Sequence, residues 1–206
     1  MSWQRGLYAI ADPAVTGGAR LVTATAEAIA GGAVLVQYRG KHADPAQRRW
    51  EAEDLLSLCR PLRIPLIIND DTELAAAIGA DGLHLGASDG DPAAARERLG
   101  DRAIIGVSCY NRLDLAHQAV AAGASYVAFG SCFPSTIKPD AVRADLALLQ
   151  QARAELTLPI CAIGGINSDN APALLAAGVD LIAVINALYT APSVRTAATQ
   201  LAALYG

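Results

Sequence analysis

Eight short apolar runs, rich in β-branched residues, alternate with helix-like segments along this chain of 206 residues. Most of the runs are continuously apolar, which is typical of parallel strands covered by helices on both faces. Eight strand–helix alternations predict a (β/α)8 TIM barrel, formed by one domain over residues 1–206. The predicted strands are 6–10, 33–39, 65–69, 82–85, 104–109, 126–130, 159–164 and 181–186.

An internal repeat supports this prediction. In segments 78–82, 122–126 and 177–181, a helix pattern ends at a glycine (Gly79, Gly123 or Gly178) and the chain then enters a strand. Glycine there permits the left-handed turn that stops a helix. A doubly wound parallel sheet is the alternative fold. It usually carries a glycine-rich fingerprint after an early strand, and the first strand–helix junction, 11–14, has none.

Composition narrows the classes of function. The net charge of −4 gives no general reason to expect nucleic-acid binding, and no apolar run reaches the length of a membrane span. The first residues lack the apolar core of a signal peptide, so we expect a cytoplasmic protein. Ala-rich helix surfaces can pack within one subunit or between subunits, so the sequence leaves both a monomer and a homo-oligomer open. Four cysteines without metal-type spacing are expected to be small buried side chains, with a redox role as the alternative: Cys59, Cys109, Cys132 and Cys161.

The end of the second predicted strand carries three polar side chains spaced two apart. Side chains alternate along a strand, so Gln37, Arg39 and Lys41 are expected to face the same way. Arginine suits bidentate binding of phosphate, and lysine adds a point charge. The segment therefore predicts an anion site, unless it is an edge strand with solvated charges.

Polar residues follow the other strands too, on the face where barrel enzymes place their sites. Asp70 and Asp89 are suited to share Mg²⁺, although Asp70 is equally suited to cap a helix. Asp71 and Asp91 are predicted caps, and His84 is predicted to be a buried structural histidine. The further polar residues at strand ends are Asn69, Ser108, Ser135, Thr136, Lys138 and Asn186.

A Gly-Gly pair after the seventh strand completes the pattern. Gly164 and Gly165 lead into a helix, and barrels often bind a phosphate beside the loops after strands seven and eight. The sequence thus predicts two anion sites. One is this phosphate site, and the other is a larger site for a diphosphate, formed by strands two to four with Lys138.

The chain resembles thiamine-phosphate synthases over nearly its whole length. The motifs that carry the resemblance, each at a strand end, are 6–10 (GLYAI), 37–41 (QYRGK), 69–71 (NDD), 81–86 (DGLHLG), 106–108 (GVS), 133–138 (FPSTIK) and 162–166 (AIGGI). The resemblance implies a (β/α)8 transferase that joins a hydroxymethylpyrimidine diphosphate to a thiazole phosphate, or to its carboxylate. It implies thiamine phosphate and pyrophosphate as products, a dissociative reaction in which pyrophosphate leaves first, and one Mg²⁺ per subunit.

The resemblance also assigns roles to residues. Asp70 and Asp89 would bind the metal, and the catalytic set would be Arg39, Lys41, Ser108 and Lys138. The pyrimidine diphosphate would be held by Gln37, Tyr38, Arg39, Gly40, Lys41, Asn69, Ser108 and Lys138. The thiazole phosphate would be held by Ser135, Thr136, Ile137, Gly165, Ile185 and Asn186.

Two positions depart from the family pattern. Ile137 stands where the phosphate loop usually has a threonine, and Ala87 stands where glutamine is frequent. Three other functions remain open. A thiazole tautomerase of the same fold would need a histidine where this chain has Tyr110. A non-catalytic sensor would bind the phosphorylated ligand without turnover, and a sugar-phosphate isomerase or lyase would need a catalytic base.

Overall fold

The structure is a computed structural model that describes residues 5–41, 44–86, 89–134 and 142–206. Eight parallel strands form a closed barrel in sequence order, and the first strand pairs with the last. This confirms the predicted (β/α)8 fold. The strands are β1 (Gly6–Ala11), β2 (Ala33–Tyr38), β3 (Leu66–Asn69), β4 (Gly82–Leu85), β5 (Ile104–Tyr110), β6 (Tyr126–Phe129), β7 (Ile160–Ile163) and β8 (Leu181–Val184).

Helices connect the strands and cover the outside of the barrel. The α-helices are α1 (Pro13–Thr16), α2 (Leu21–Ala30), α3 (Pro45–Cys59), α4 (Thr72–Ile78), α5 (Pro92–Leu99), α6 (Leu113–Ala121), α7 (Leu146–Glu155), α8 (Ala171–Ala176), α9 (Asn186–Tyr189) and α10 (Val194–Ala202). Among the described residues, no helix is both long and apolar enough to cross a bilayer.

Aspartates start several of these helices, because a carboxylate can accept the backbone N–H groups left unpaired in a first turn. Asp71 accepts from the Leu74 N–H, and Asp91 accepts from the Ala93 N–H, each at 2.9 Å. The predicted capping roles of both residues are confirmed. Asp44 and Asp145 cap α3 and α7 in the same way.

Two layers of buried side chains hold the barrel together. One fills the barrel interior and includes Tyr8, Ile67 and Tyr126, while the other packs Ala-rich helices against the outer faces of the strands. Gly106 makes room for the interior tyrosine, since a Cβ there would overlap the Tyr126 ring. All four cysteines are free thiols and buried, as predicted.

The repeated glycine turns lie at the amino end of the barrel. Gly79, Gly123 and Gly178 have positive φ angles of 65°, 82° and 91°, in agreement with the predicted left-handed helix stops. The polar residue that precedes each following strand accepts a backbone N–H from the first or second residue of the neighbouring strand. These bonds run from Leu66 N to Asp81, from Ile105 N to Ser125 and from Ile160 N to Asp180.

The structure differs from the predicted element boundaries at the carboxyl end. The predicted eighth strand, 181–186, ends at Val184, and Asn186 is the first residue of α9. A short helix, α1, also follows β1 and was absent from the predicted elements. Asp12 starts it by accepting the Ala14 N–H at 2.9 Å, with Pro13 in the first helical position.

Candidate active site at the carboxyl end of the barrel

Strand alternation separates the two side chains at the end of β2. Gln37 points into the barrel, where its Nε2 donates to Tyr8 Oη at 2.7 Å. Tyr38 belongs to the outer core, and its hydroxyl donates to Glu51 on α3 at 2.6 Å. Of these two predicted substrate contacts, only Gln37 therefore directs its side chain into the barrel. Gly40 lies just beyond, and a Cβ there would overlap the Tyr38 phenol.

Arg39 lies at the rim and is held by a partner that the sequence analysis missed. Its guanidinium donates to the carboxylate of Asp12, which directly follows β1. Both side chains are largely buried, at 20% and 8% exposed. The signal was present in the sequence, because Asp12 is a polar residue in the junction that follows the first predicted strand, like the residues that were selected after the other strands.

Lys41 and Asp70 form an ion pair, with 3.0 Å between Nζ and Oδ2. Asp70 has a φ angle of 65°, a left-handed conformation that is uncommon for any residue with a side chain. Its backbone N–H donates to the His84 carbonyl at 2.8 Å, which fixes this turn against β4. Backbone strain of this kind clusters at functional sites. Asn69 ends β3 directly before it and is half-buried.

Asp89 brings a second carboxyl group to Asp70, and a side-chain hydrogen bond joins the two. Burial raises the pKa of Asp70 and Asp89 raises it further, while Lys41 opposes both effects. Asp89 Oδ2 in turn accepts the Gly86 N–H at 2.9 Å.

A carboxyl group whose pKa is raised by a neighbouring carboxyl group favours a proton or a cation between the two. Among the described residues, no group of three or more His, Cys, Asp or Glu side chains could hold a metal. The pair still fits Mg²⁺, which takes one or two carboxylates and completes its shell with water and substrate phosphate oxygens.

A cavity of about 440 Å³ opens beside Asp70, between the loops that follow β2 and β3, and Asp89 is not among its lining residues. Lys41, Asn69 and Asp70 line it, together with Arg48 and Asp71. The volume falls within the range of small-molecule sites. Its lining carries both signs of charge, which suits a metal-bound anion better than an apolar ligand.

Ser108 lies across the barrel mouth from β2, and a histidine holds its hydroxyl. His84 Nε2 lies 2.9 Å from Ser108 Oγ, and His84 Nδ1 lies 2.8 Å from Tyr126 Oη. Burial lowers the pKa of His84 to about 4, so the imidazole is neutral at pH 7. His84 is therefore buried and hydrogen-bonded, as predicted. Tyr8 and Tyr126, which complete this interior chain, were not selected from the sequence.

The Gly-Gly pair supports a close approach of two chain segments. Gly164 and Gly165 have φ angles of 102° and 64°, and the Gly164 carbonyl accepts the Phe133 N–H at 3.0 Å. A Cβ on Gly165 would overlap the backbone of Phe133 and Pro134. Chain packing alone thus accounts for both glycines, whether or not a phosphate binds there.

The other predicted thiazole-phosphate contacts are only partly described. Ile185 and Asn186 lie where β8 ends and α9 begins, at the same end of the barrel as Gly165. The remaining predictions lie outside the described residues: Ser135, Thr136, Ile137 and Lys138, with the departure at Ala87.

Comparison with known proteins identifies the family. Residues 7–188 match the family described as thiamine monophosphate synthase. The chain belongs to this family. It is 56% identical to the thiamine-phosphate synthase of Methylobacillus flagellatus over 98% of the chain and 95% of that protein, and 51% identical to that of Azoarcus sp. (strain BH72) over 98% and 97%. A solved thiamine phosphate pyrophosphorylase from Pyrococcus furiosus superimposes with a TM-score of 0.88 at 36% identity, covering 97% of this chain and 94% of that one.

Proposed function

We propose that this chain catalyses thiamine phosphate formation from a hydroxymethylpyrimidine diphosphate and a thiazole phosphate, releasing pyrophosphate. One observation carries the proposal. In a chain of this family, five polar residues lie at the carboxyl end of one barrel. Arg39 and Lys41 follow β2, Asp70 follows β3, Asp89 follows β4, and Ser108 lies near the end of β5. That end is where barrel enzymes place their active sites.

The proposed chemistry places its main demand on the leaving group, because negative charge develops on the departing pyrophosphate. Arg39 would bind this group by a two-point contact and Lys41 by a point charge. Lys41 now pairs with Asp70, so in this proposal it exchanges that carboxylate for a phosphate oxygen. Lys138 is proposed as a third cation. Such preorganised charge is often the largest single contribution to catalysis.

Mg²⁺ is the proposed cofactor, held by Asp70 and Asp89, and when bound it would neutralise charge on the diphosphate. Gln37 and Asn69 are proposed to position the pyrimidine diphosphate, with Tyr38 and Gly40 shaping the strand end. Ser108 is proposed to donate a hydrogen bond to the pyrimidine diphosphate. The proposal needs no side-chain nucleophile, and it treats residues 1–206 as one barrel domain.

For the thiazole phosphate we propose a site between the loops after β6, β7 and β8. Gly165, Ile185 and Asn186 support it by their shared position at the carboxyl end. Ser135, Thr136 and Ile137 would complete the site. Ile137 has no hydroxyl to donate a hydrogen bond to the phosphate, so Thr136, backbone N–H groups or water would supply that hydrogen bond.

The test is to incubate the protein with both phosphorylated substrates and Mg²⁺ and to quantify thiamine phosphate and pyrophosphate. We expect equal amounts of the two products, and none when either substrate or Mg²⁺ is left out. Arg39→Ala should abolish most turnover. Arg102→Ala, an exposed arginine in the turn before β5, is the matched control and should leave turnover unchanged.

Other results would favour the other functions. Tight binding of one substrate without product would favour a sensor. Conversion of the thiazole carboxylate alone would favour a tautomerase, although Tyr110, at the end of β5, occupies the position where that enzyme needs a histidine.

A further inference from the structure

A continuous chain of hydrogen-bonded side chains crosses the barrel interior beneath the candidate active site. It starts at Gln37, whose Nε2 donates to Tyr8 Oη at 2.7 Å, and Tyr8 Oη lies 2.9 Å from Tyr126 Oη. Tyr126 Oη lies 2.8 Å from His84 Nδ1. His84 Nε2 lies 2.9 Å from Ser108 Oγ. We call these five side chains the interior network; both of its ends are residues of the proposed pyrimidine diphosphate site.

The network lies in surroundings that make polar groups costly. Tyr8 and Tyr126 are at most 1% exposed, and they belong to an otherwise largely aliphatic cluster inside the barrel. Burial raises the pKa of both phenols, so each keeps its proton. The two rings meet edge to face at 82°, which fixes where each hydroxyl points. Apolar residues could fill this space without the cost of desolvating five polar side chains. A structural role alone therefore does not explain the network.

Counting protons gives the network a direction. Gln37 donates to Tyr8, so the Tyr8 proton is available for Tyr126 Oη. The Tyr126 proton then goes to Nδ1 of the neutral His84, whose own proton must be on Nε2. This Nε2–H donates to Ser108 Oγ. The Ser108 proton is left for an acceptor in the barrel mouth, where the residue is half-buried.

The opposite order has a specific cost. If Tyr126 donated to Tyr8, then Tyr8 would accept from both neighbours and its own proton would have no acceptor within the network. An unmatched donor in an apolar interior is unfavourable. In that order His84 would carry its proton on Nδ1, and the Ser108 hydroxyl would donate its hydrogen bond to His84 Nε2 rather than toward the barrel mouth.

We propose that Tyr8, Tyr126 and His84 are positioning residues which, oriented by the Gln37 amide, hold Ser108 as a hydrogen-bond donor toward an acceptor atom of the pyrimidine diphosphate. This inference rests on the proposed function for the identity of the ligand. The order of the protons does not depend on the proposed function, because it is a property of the protein without a ligand.

The first test therefore uses no substrate. The chain has three histidines, so ¹⁵N NMR of histidine-labelled protein can report the tautomer of His84, assigned by the loss of its signals in His84→Gln. We expect a single neutral tautomer protonated at Nε2. In Tyr126→Phe the donor to Nδ1 is gone, and we expect a mixture of tautomers. A wild-type protein protonated at Nδ1, or a tautomer unchanged in Tyr126→Phe, would overturn the proposal.

The second test asks whether the network acts through Ser108. Tyr126→Phe should lower kcat/KM for the pyrimidine diphosphate roughly tenfold, the value of one hydrogen bond, and leave the KM for the thiazole phosphate unchanged. In a Ser108→Ala background the same substitution should have almost no further effect. Tyr205→Phe removes a phenol hydroxyl outside the network and should match the wild type.

The outcomes separate this inference from the proposed function. Equal and additive effects of Tyr126→Phe in both backgrounds would sink the positioning role while leaving the enzyme assignment intact. Absence of turnover in the wild type would sink the assignment, and the tautomer measurement would still decide the proton order. If Tyr126→Phe does not fold, the kinetic test passes to Tyr8→Phe, which removes the hydroxyl that orients Tyr126 and should lower kcat/KM for the pyrimidine diphosphate with almost no further effect in the Ser108→Ala background. The tautomer of the wild-type protein still decides the proton order, and a wild-type protein protonated at Nδ1 would overturn the proposal.

Discussion

Aspartates at the two ends of the barrel do different work. At the amino end, Asp81 and Asp180 each accept the first backbone N–H of a neighbouring strand at 2.9 Å. At the carboxyl end, Asp70 has a left-handed backbone and faces the like-charged Asp89, with Lys41 as its ion-pair partner. Asp81 and Asp180 thus accept backbone N–H groups at the starts of two strands, which completes the hydrogen bonding there. At the carboxyl end, Asp70 and Asp89 bring two acidic groups together, and Lys41 offsets this only in part, since the pKa of Asp70 is still raised.

Aspartate thus serves two purposes in one fold. A carboxylate that closes a turn gains its partner when the chain folds, so it contributes to stability. A carboxylate beside another carboxylate costs stability and is explained by what binds there. Substitutions at the two ends should therefore change different measurable quantities.

The largest expected effect comes from Asp70→Asn. Asparagine tolerates the left-handed backbone and keeps the shape of the side chain, but it removes the charge. We expect the rate of thiamine phosphate formation to fall about 10²–10³-fold, by analogy with other charge-stabilising groups. The melting temperature without Mg²⁺ should not fall, because the repulsion from Asp89 is relieved.

Asp101→Ala, an exposed aspartate in the turn before β5, is the control and should change neither quantity. The comparison between the two ends breaks if Asp70→Asn keeps full activity, or if it melts well below the wild type. Either result would make Asp70 a structural residue like those at the amino end.

The pH dependence of stability gives the next effect. Burial lowers the pKa of His84 to about 4 from its ordinary 6.5. Between these pH values the unfolded chain binds a proton that the folded protein excludes, so the folded state loses stability as the pH falls. The stability of the wild type relative to His84→Gln should drop by about 3 kcal/mol between pH 7 and pH 4. Denaturant unfolding of both proteins measures it, and equal pH slopes would refute it.

A loss of stability without loss of chemistry is expected from Asp180→Ala. The substitution removes the acceptor of the Ile160 N–H and the partner of Arg153, which donates to Asp180 at 2.8 Å. We expect unfolding to become easier by about 1–3 kcal/mol, since a part-buried donor loses its bond. Activity per folded molecule should stay at the wild-type level. A selective loss of turnover would show that the amino end is not purely structural.

The smallest effect is expected from Ser125→Ala, at the same position of another repeat. Ser125 Oγ accepts the Ile105 N–H at 3.1 Å and also accepts from Arg96 at 3.0 Å. The arginine can shift to fill part of the gap, so a destabilisation of about 1 kcal/mol is expected. If thermal unfolding shows a larger cost for Ser125→Ala than for Asp180→Ala, charge is not what makes the amino-end bonds strong.

Sequence reasoning predicted the eight strands in order, because continuous apolar runs and repeated glycine stops are local signals. It also predicted the caps at Asp71 and Asp91. It overextended β8 to Asn186, because an apolar run shows no boundary where a strand turns directly into a helix. It missed Asp12 because that junction carries no glycine-rich phosphate motif, and an aspartate that pairs with Arg39 leaves no such motif.

The barrel and the set of side chains at its carboxyl end follow from the sequence, since strand periodicity and turn chemistry act over a few residues. How those side chains pair follows from the folded barrel. It brought Asp70 against Asp89, Arg39 against Asp12, and Gln37 into one hydrogen-bonded network with Ser108. Such contacts join strands far apart in the chain, and no local pattern encodes them because barrel closure alone sets which interior side chains meet.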